Sequence, residues 1–557
     1  MKDNGATAWW TKAVFYQVYP RSFQDAGGDG VGDLVGIIER LDYIVELGTD
    51  ALWISPFFKS PMKDFGYDIS DYCDVDPLFG SMEDFKRLLD EAHRRGIRIV
   101  IDLVVNHSSD EHPWFKAARS SRDDPKHDWY LWKPITGKKP PNNWISLFEQ
   151  RSAWYPNEAT NEWYLGTFTR SQPEFNWRNR QLREAIYGAT RFWLDLGADG
   201  FRMDVATAYI KDELYRSNPF KWNLSPDLFQ EHIYDRNRPE VGQIFQEFRT
   251  LADGYGDRVL IAETHGRDPA LAASCHGKHN DGLHMAFNFE FLFRPWSAQA
   301  FRSSAERWYA LLPEGAWPNF TLSNHDQPRH WWRYRHRNPR ITEARSRVAA
   351  AMLLLLRGTP FLYYGEELGM DCRRIPRKDL RDPLGVNTWP FQSYGRDPER
   401  TPMQWDASAN AGFTTGRPWL PVNPDYPVKN VQTQKADPGS LWNWYAILLR
   451  LRKAEPALVQ GSLRFIDTPA DVMAWERQAG DSRITVCLNF GLAPLDVAID
   501  GGEIVLRRGL EQGPGKEAAM RADSGTDMGI EKGIVLGTIQ PGSFTLGPLE
   551  VLVVRGR

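Results

Sequence analysis

The chain has 557 residues, with 68 lysines and arginines against 72 aspartates and glutamates, which gives a net charge of −4. A charge so close to balance argues against binding to nucleic acid or to an anionic membrane surface. Hydrophobic residues make up 42% and charged residues 25% of the chain, which is typical of a globular protein and excludes a disordered or membrane-embedded one.

Three further features bear on location. The longest apolar run, residues 348–356, lies between two arginines and is too short to cross a bilayer. The first residues, MKDNGATAWW, lack the apolar stretch of a secretory signal. The cysteines are few and far apart, which fits neither a zinc site nor a disulfide framework: Cys73, Cys275, Cys372 and Cys487. We therefore expect a cytoplasmic protein with no membrane partner and no nucleic-acid partner.

Short runs rich in β-branched and aromatic residues recur along the chain with helical patterns between them. The first three predict strands at 14–20, 50–56 and 97–105, and a helical pattern precedes the second and the third. Five more predicted strands follow at 200–205, 258–263, 284–289, 319–326 and 359–367. Eight strands that alternate with helices predict an α/β fold of the (β/α)8 TIM-barrel type. A doubly wound sheet is disfavoured because no GxGxxG turn follows the first strand.

Two segments depart from this alternation. Residues 108–177 are rich in Trp, Pro, Asn and Asp with little helical period, which predicts an inserted subdomain after the third strand. From residue 462 to 557, short alternating segments separated by Gly, Pro and Asp predict an antiparallel β domain. The catalytic barrel is then expected to comprise residues 1–107 and 178–461.

The predicted strands end in polar residues, which is where catalytic groups of a barrel lie. They are Asp102, Asn106 and His107 after strand three, Arg202 and Asp204 after strand four, Glu263 after strand five, and Asn324, His325 and Asp326 after strand seven. A single buried acid is often a paired structural residue. Several carboxylates that converge from different strands repel one another, and this favours a catalytic role over a structural one.

Two carboxylates in unlike surroundings suit glycoside hydrolysis, in which one attacks and the other donates a proton. Arg202 and Asp204 are two residues apart in a strand and share a face. We therefore expect Arg202 to lower the pKa of Asp204, as a nucleophile requires. Glu263 follows an apolar run and is the candidate acid.

Several motifs carry a family resemblance. DLVVNHSSD, GFRMDVA, IAETHG and NHDQPR, in this order at the strand ends, resemble the four signature segments of the α-amylase family, glycoside hydrolase family 13. FYQVYPRSFQDAGGDGVGDLVGI, GYDISDY, QPEFNW, GTPFLYYGEELGM and RTPMQWD resemble its bacterial α-glucosidase and oligo-1,6-glucosidase branch. The resemblance covers residues 10 to about 455, and the C-terminal segment matches only as a type of domain.

The resemblance implies a role for each matching residue. Asp204 would be the nucleophile, Glu263 the acid/base and Asp326 the carboxylate that stabilises the transition state. Further residues would contact the terminal sugar or line its pocket: His107, His325, Arg202, Phe168, Gln172 and Val205. Asp68 of GYDISDY and Arg400 of RTPMQWD resemble the pair that closes the pocket beyond the O4 side of the non-reducing glucose. That closure implies exo-cleavage of small oligosaccharides.

The loop after the first strand is a candidate metal site. Asp25, Asp29 and Asp33 recur every four residues in a Gly-rich segment, and hard oxygen ligands on a tight turn suit calcium or magnesium. The resemblance implies a structural divalent cation there, with the carbonyl of Val31 as a further ligand. Relatives carry Asn where this chain has Gly27, so one ligand is lost. No organic cofactor is expected.

Specificity is left open by the sequence. Val205 after the nucleophile resembles enzymes active on α-1,6 linkages, whereas YDRNRPEV and DLRDPLGVNTWP resemble α-glucosidases that prefer short substrates and transfer glucose. We therefore predict an exo-acting, retaining α-glucosidase with transglucosylation activity. A sucrose isomerase or a dedicated glucosyltransferase, with the same covalent intermediate, is the alternative. A non-catalytic partner of a transporter is a remote one, because the three carboxylates are present. The oligomeric state stays open.

Overall fold

Eight parallel strands form the central sheet of the computed structural model, which describes residues 8–222, 229–264, 266–390, 395–510, 529–531 and 534–556. In chain order they are β1 (Phe15–Val18), β2 (Ala51–Ile54), β3 (Arg98–Leu103), β4 (Gly200–Met203), β5 (Val259–Ala262), β6 (Met285–Ala286), β7 (Asn319–Thr321) and β8 (Thr359–Tyr363). Neighbouring strands pair in sequence order from β1 to β6, and β1 also pairs with β8, which pairs with β7. This is the predicted (β/α)8 TIM-barrel order.

Helices connect these strands on the outside. The main ones are Leu34–Glu39, Leu41–Leu47, Met82–Arg94, Arg180–Leu196, Val241–Asp253, Pro269–Ser274, Ala298–Leu311, Pro339–Leu355 and Leu441–Ala454. The helix before β3 shows why they form. Ser81 and Asp84 make a capping box at its N-terminus, and its buried residues Phe85, Leu88, Leu89 and Ala92 recur with helical spacing. One apolar face is thus directed toward the barrel.

Each observed strand is shorter than its predicted run. The run 319–326, for example, leaves the sheet after Thr321. Most of the polar residues at the ends of the runs lie in the connecting loops, whereas Asp102 and Arg202 stay in β3 and β4 and are paired with each other in the sheet.

The segment 108–177 between β3 and β4 contains a small antiparallel sheet, as expected of an insertion. Its strands are Trp132–Pro134, Glu162–Leu165 and Trp154–Asn157, in that spatial order. A second small sheet, Phe58–Lys59 with Asp71–Val75, lies between β2 and β3. It was not predicted, because two short, mostly polar strands carry little hydrophobic alternation.

The C-terminal part of the chain is an antiparallel β structure. Its strands are Ser462–Ile466, Val472–Ala479, Ser482–Asn489, Leu495–Ile499, Gly502–Arg508, Gly529–Glu531, Ile534–Ile539, Gly542–Leu546 and Val551–Arg555. Residues 511–528 and 532–533 of the expected domain lie outside the described residues. Arg477 on the second of these strands donates a hydrogen bond to the carbonyl of Leu355, at the end of a barrel helix. In the described part of the chain, we find no helix with the length and apolarity that crossing a membrane requires.

Candidate active site

One buried arginine gathers three carboxylates at the ends of neighbouring strands. Nη1 of Arg202 lies 2.6 Å from Asp102 and 2.7 Å from Asp204, and its Nη2 lies 2.6 Å from Glu263. The register explains this meeting, because Arg202 on β4 is paired with Asp102 on β3 and with Ile261 on β5. The structure therefore brings the candidate nucleophile and the candidate acid/base to the same guanidinium group.

This cluster corrects one expectation from the sequence. Burial raises the pKa of Asp204 well above its usual range, and although Arg202 lowers it, Glu263 and Asp102 raise it further. The pKa of Asp102 is raised to about 6, again chiefly by burial. Arg202 cannot depress the pKa of Asp204 on balance, because burial opposes it and because one cation serves three carboxylates. A cluster of this kind holds a proton readily, and general acid catalysis requires one.

Asp326 lies in a different environment. Its Oδ1 is 2.7 Å from Nη2 of Arg400 and 3.3 Å from Nη1 of Arg396. Burial raises its pKa, but His325 and the two arginines outweigh burial and hold the pKa of Asp326 below its ordinary value. This carboxylate is therefore ionised, as stabilisation of a developing positive charge requires.

Both predicted histidines contact hydroxyl, amide or carbonyl groups, and Nε2 of His325 also lies 3.3 Å from Asp326. His325 contacts Gln17 through Nδ1 at 2.7 Å and the hydroxyl of Tyr67 through Nε2 at 2.5 Å. His107 contacts the carbonyl of Tyr67 at 2.9 Å and Nε2 of Gln172 at 3.1 Å. Burial lowers the pKa of His107 to about 4, so the ring is neutral near pH 7. Tyr67, which the sequence reasoning missed, lies parallel to the ring of His325 and connects both histidines.

The predicted pairing of Asp68 with Arg400 is wrong. The buried carboxylate of Asp68 accepts hydrogen bonds from the hydroxyl of Ser60 and from the backbone N–H groups of Lys63 and Asp64, which stabilise its own turn. Arg400 instead donates to Asp326 and to the carbonyl of His325. Both functional groups of the expected pair are thus engaged elsewhere.

The ion pair at this end of the site is formed by Asp64 and Arg396, whose carboxylate and guanidinium groups are 2.8 Å apart. Each lies four residues before the residue chosen from the sequence. Asp64 stands in KDFGYD and Arg396 in GRDPERTPM, so each motif offers two candidates of the same charge. Only the fold shows which of them face each other.

An apolar wall lies beside Asp204. Phe148, Phe168, Val205, Ala208 and Leu384 pack together, each with 4–8% of its surface exposed. Val205 has φ +37°, in the left-handed region that a β-branched residue rarely adopts, and its N–H donates to Oε2 of Glu263 at 3.0 Å. Such strain marks a position held by its surroundings. Here the turn after Asp204 orients the carboxylate of Glu263.

The Gly-rich loop after β1 closes largely on its own backbone. The carboxylate of Asp25 accepts from the N–H groups of Gly28 and Gly30, and that of Asp33 from those of Gly27 and Gly36. A Cβ built on Gly27 would lie 3.6 Å from Asp33 and 3.7 Å from Asp25, so both carboxylates face that position.

The Gly-rich loop after β1 does not provide a complete set of ligands for the predicted cation. Asp29 accepts a hydrogen bond from the N–H of Val31, and across the described ranges no group of three His, Cys, Asp or Glu residues could hold a metal ion. The residues present therefore do not fit the expected site as it stands, with glycine at position 27. The divalent cation stays a prediction.

Comparison with known proteins decides the family. The model of the α-amylase catalytic domain matches residues 17–461, which is most of the chain. The chain belongs to the α-amylase family, glycoside hydrolase family 13. It is therefore a glycoside hydrolase, and the resemblance and the fold predicted from the sequence are confirmed.

Individual family members agree with this assignment. A Rhizobium meliloti protein named "Probable alpha-glucosidase" is 42% identical over 496 residues, 86% of this chain and 89% of the relative. The oligo-1,6-glucosidase of Parageobacillus thermoglucosidasius is 40% identical over 513 residues, 86% and 90% of the two chains.

Two solved structures of family members are similar over nearly the whole chain. The α-glucosyl transfer enzyme XgtA has a TM-score of 0.86 at 38% identity, and the trehalulose synthase MutB of Pseudomonas mesoacidophila has a TM-score of 0.86 at 34% identity. Each alignment covers 99% of this chain and 100% of the other.

Proposed function

We propose that this member of the family is an exo-acting, retaining α-glucosidase that releases glucose from the non-reducing end of short α-glucosides. The observation that carries the proposal is the shared contact of Asp204 and Glu263 with Arg202, next to the charged pair of Asp64 and Arg396. The two carboxylates supply the nucleophile and the acid/base of glycoside hydrolysis. The charged pair limits the length of the substrate that can enter the pocket.

In the first step, the ionised form of Asp204 attacks the anomeric carbon of the terminal glucose, while the proton of the carboxylate cluster lies on Glu263. Glu263 gives its proton to the glycosidic oxygen, which leaves with the rest of the substrate, and a covalent glucosyl-enzyme remains. In the second step, Glu263 takes a proton from water, whose oxygen attacks the same carbon and releases Asp204. Asp326, ionised between Arg396 and Arg400, stabilises the positive charge that develops in both transition states.

Exo-action follows from the charged pair that ends the pocket. The guanidinium of Arg396 and the carboxylate of Asp64 are both buried and in contact, so their opposite charges face each other at this end of the pocket. A glucose hydroxyl adds charge-assisted hydrogen bonds to this pair, and a substrate without that hydroxyl cannot form them, so the pair discriminates in favour of a terminal glucose. Starch, which would have to pass beyond the pair, should be a poor substrate.

Transfer of glucose to acceptors other than water uses the same intermediate. The apolar wall of Phe148, Phe168, Val205, Ala208 and Leu384 offers an acceptor molecule more contact than it offers water. The second candidate function is therefore sucrose isomerisation or dedicated glucosyl transfer. It is favoured by the similarity to a glucosyl transfer enzyme and to a trehalulose synthase.

We also propose that the enzyme works in the cytoplasm. All four cysteines are free, and three of them are buried. Free thiols fit a reducing compartment.

One assay tests the main proposal. The enzyme is incubated with maltose, isomaltose, sucrose or soluble starch, each at a low and a high substrate concentration. Proton NMR identifies the first products. Two inversions at the anomeric carbon restore its configuration, so α-glucose should appear first. Initial β-glucose would contradict the two-step mechanism, and rapid internal cleavage of starch would contradict the closed pocket. Sucrose converted mainly to an isomer would favour the second candidate.

A further inference from the structure

Asp382 lies in the loop after β8, immediately before the helix Pro383–Asn387, and is fully buried. Its Oδ1 accepts hydrogen bonds from Nε of Arg396 at 3.0 Å and from Nη2 at 2.7 Å. Its Oδ2 accepts from the backbone N–H of Arg396 at 2.8 Å. One aspartate thus holds both the side chain and the backbone of the arginine at the end of the pocket.

The other contacts of Arg396 show why such a hold matters. Its guanidinium is shared between Asp64 at 2.8 Å and Asp326 at 3.3 Å, and the ring of Phe148 covers its face at 4.4 Å. Asp326 already has Arg400 at 2.7 Å. Without Asp382, attraction to the ionised Asp326 would move Arg396 toward the catalytic centre and away from Asp64.

Asp382 is held in place by Asp397, and the helix that follows it packs in the apolar wall. Its backbone N–H donates to both carboxylate oxygens of Asp397, at 3.1 and 3.0 Å. The helix that it precedes contributes Leu384 to the apolar wall, and Asn387 donates to the carbonyl of Phe148 at 2.9 Å. The position of Asp382 therefore depends on the loop after β8 and not on a bound sugar.

We propose that Asp382 is a positioning residue that sets recognition of the terminal glucose O4 by holding Arg396 against Asp64. It acts through Arg396 and does not touch the substrate. The inference rests on the proposed function and adds to it a determinant outside the pocket. Asparagine at position 382 would keep the shape and lose the charge, and with it the charge-assisted bonds to Arg396.

The test compares Asp382→Asn with Asp379→Asn, a matched change in the same loop at a carboxylate that makes no side-chain hydrogen bond or ion pair in the described structure. Nitrophenyl α-glucoside and its 4-deoxy analogue are the substrates, and thermal melting checks that each variant is folded. We expect Asp382→Asn to reduce the preference for the glucoside over the 4-deoxy analogue at least tenfold. The loss should appear in KM more than in kcat. Asp379→Asn should match the wild type.

Each other outcome decides against the inference. If Asp382→Asn keeps the wild-type preference, or if both substrates lose activity by the same factor, Asp382 has only a structural role. If the asparagine variant does not fold, Asp382→Glu takes its place. Glutamate keeps the charge but displaces it by one methylene group. The inference requires that this variant, too, has a lower preference for the glucoside over the 4-deoxy analogue. A wild-type enzyme that hydrolyses neither glycoside would overturn the proposed function too, which separates the two failures.

Discussion

Replacing Asp204 with Asn should abolish turnover and at the same time stabilise the fold. The substitution removes the nucleophile, and we expect activity to fall by more than a hundredfold because the covalent step has no substitute. It also removes one of the three carboxylates that contact Arg202. Two repulsions, with Asp102 and Glu263, are lost along with a single attraction.

The size of the stabilisation follows from Coulomb's law. At an effective dielectric constant of about 20, two unit charges about 5 Å apart interact by about 3 kcal/mol, and a contact pair at about 4 Å by about 4 kcal/mol. Two lost repulsions exceed one lost attraction by about 2 kcal/mol. A shared proton in the wild-type cluster reduces this, so we expect a gain of about 1 kcal/mol and a melting temperature higher by a few degrees.

Differential scanning fluorimetry of the wild type and Asp204→Asn at pH 7, with activity on a nitrophenyl α-glucoside, measures both effects. Circular dichroism shows that the fold is intact. Activity that falls by less than a hundredfold would refute the nucleophile assignment. A melting temperature below that of the wild type would refute the account of three carboxylates around one arginine.

Three further predictions concern Glu263, Asp102 and the Gly-rich loop after β1. Glu263→Gln should form the glucosyl-enzyme from glucosyl fluoride, whose leaving group needs no proton, and should accumulate it for mass spectrometry; hydrolysis of the fluoride at the wild-type rate would exclude Glu263 as the acid/base. Since the folded-state pKa of Asp102 is raised to about 6, this group should cost stability as pH rises from about 4 through 6. Asp102→Asn should therefore flatten the fall in melting temperature between about pH 4 and pH 6, and an unchanged slope would contradict the shift. Gly27→Asn adds a carbonyl ligand between Asp25 and Asp33, so calcium should raise its melting temperature at concentrations at least tenfold lower than those the wild type needs; equal responses would show that position 27 is not part of a cation site.

Much of the fold and of the catalytic centre could be predicted because it depends on local pattern. Buried parallel strands are continuous apolar runs, and all eight were placed from such runs. Catalytic groups of a barrel follow the strands, so Asp204 and Glu263 could be proposed as candidates from their positions. The antiparallel domain was likewise predicted from short segments of alternating hydrophobicity, from residue 462 onward.

The tertiary structure decided what depends on partners distant in the chain. Asp64 is 332 positions from Arg396, and each has a neighbour of the same charge four residues away, so no local pattern could select the pair. The pKa of Asp204 was expected from one nearby arginine, but its direction depends first on burial and then on Glu263 and Asp102, which other strands contribute. Asp382 lies in the segment DLRDPLGVNTWP, but that segment does not show which arginine it contacts, because a positioning residue is defined only by what it holds. The kind of chemistry was therefore determined by the sequence. The fold decided which charged groups lie in contact and in which direction the pKa of each is shifted, because Coulomb interactions depend on distance in space and on burial.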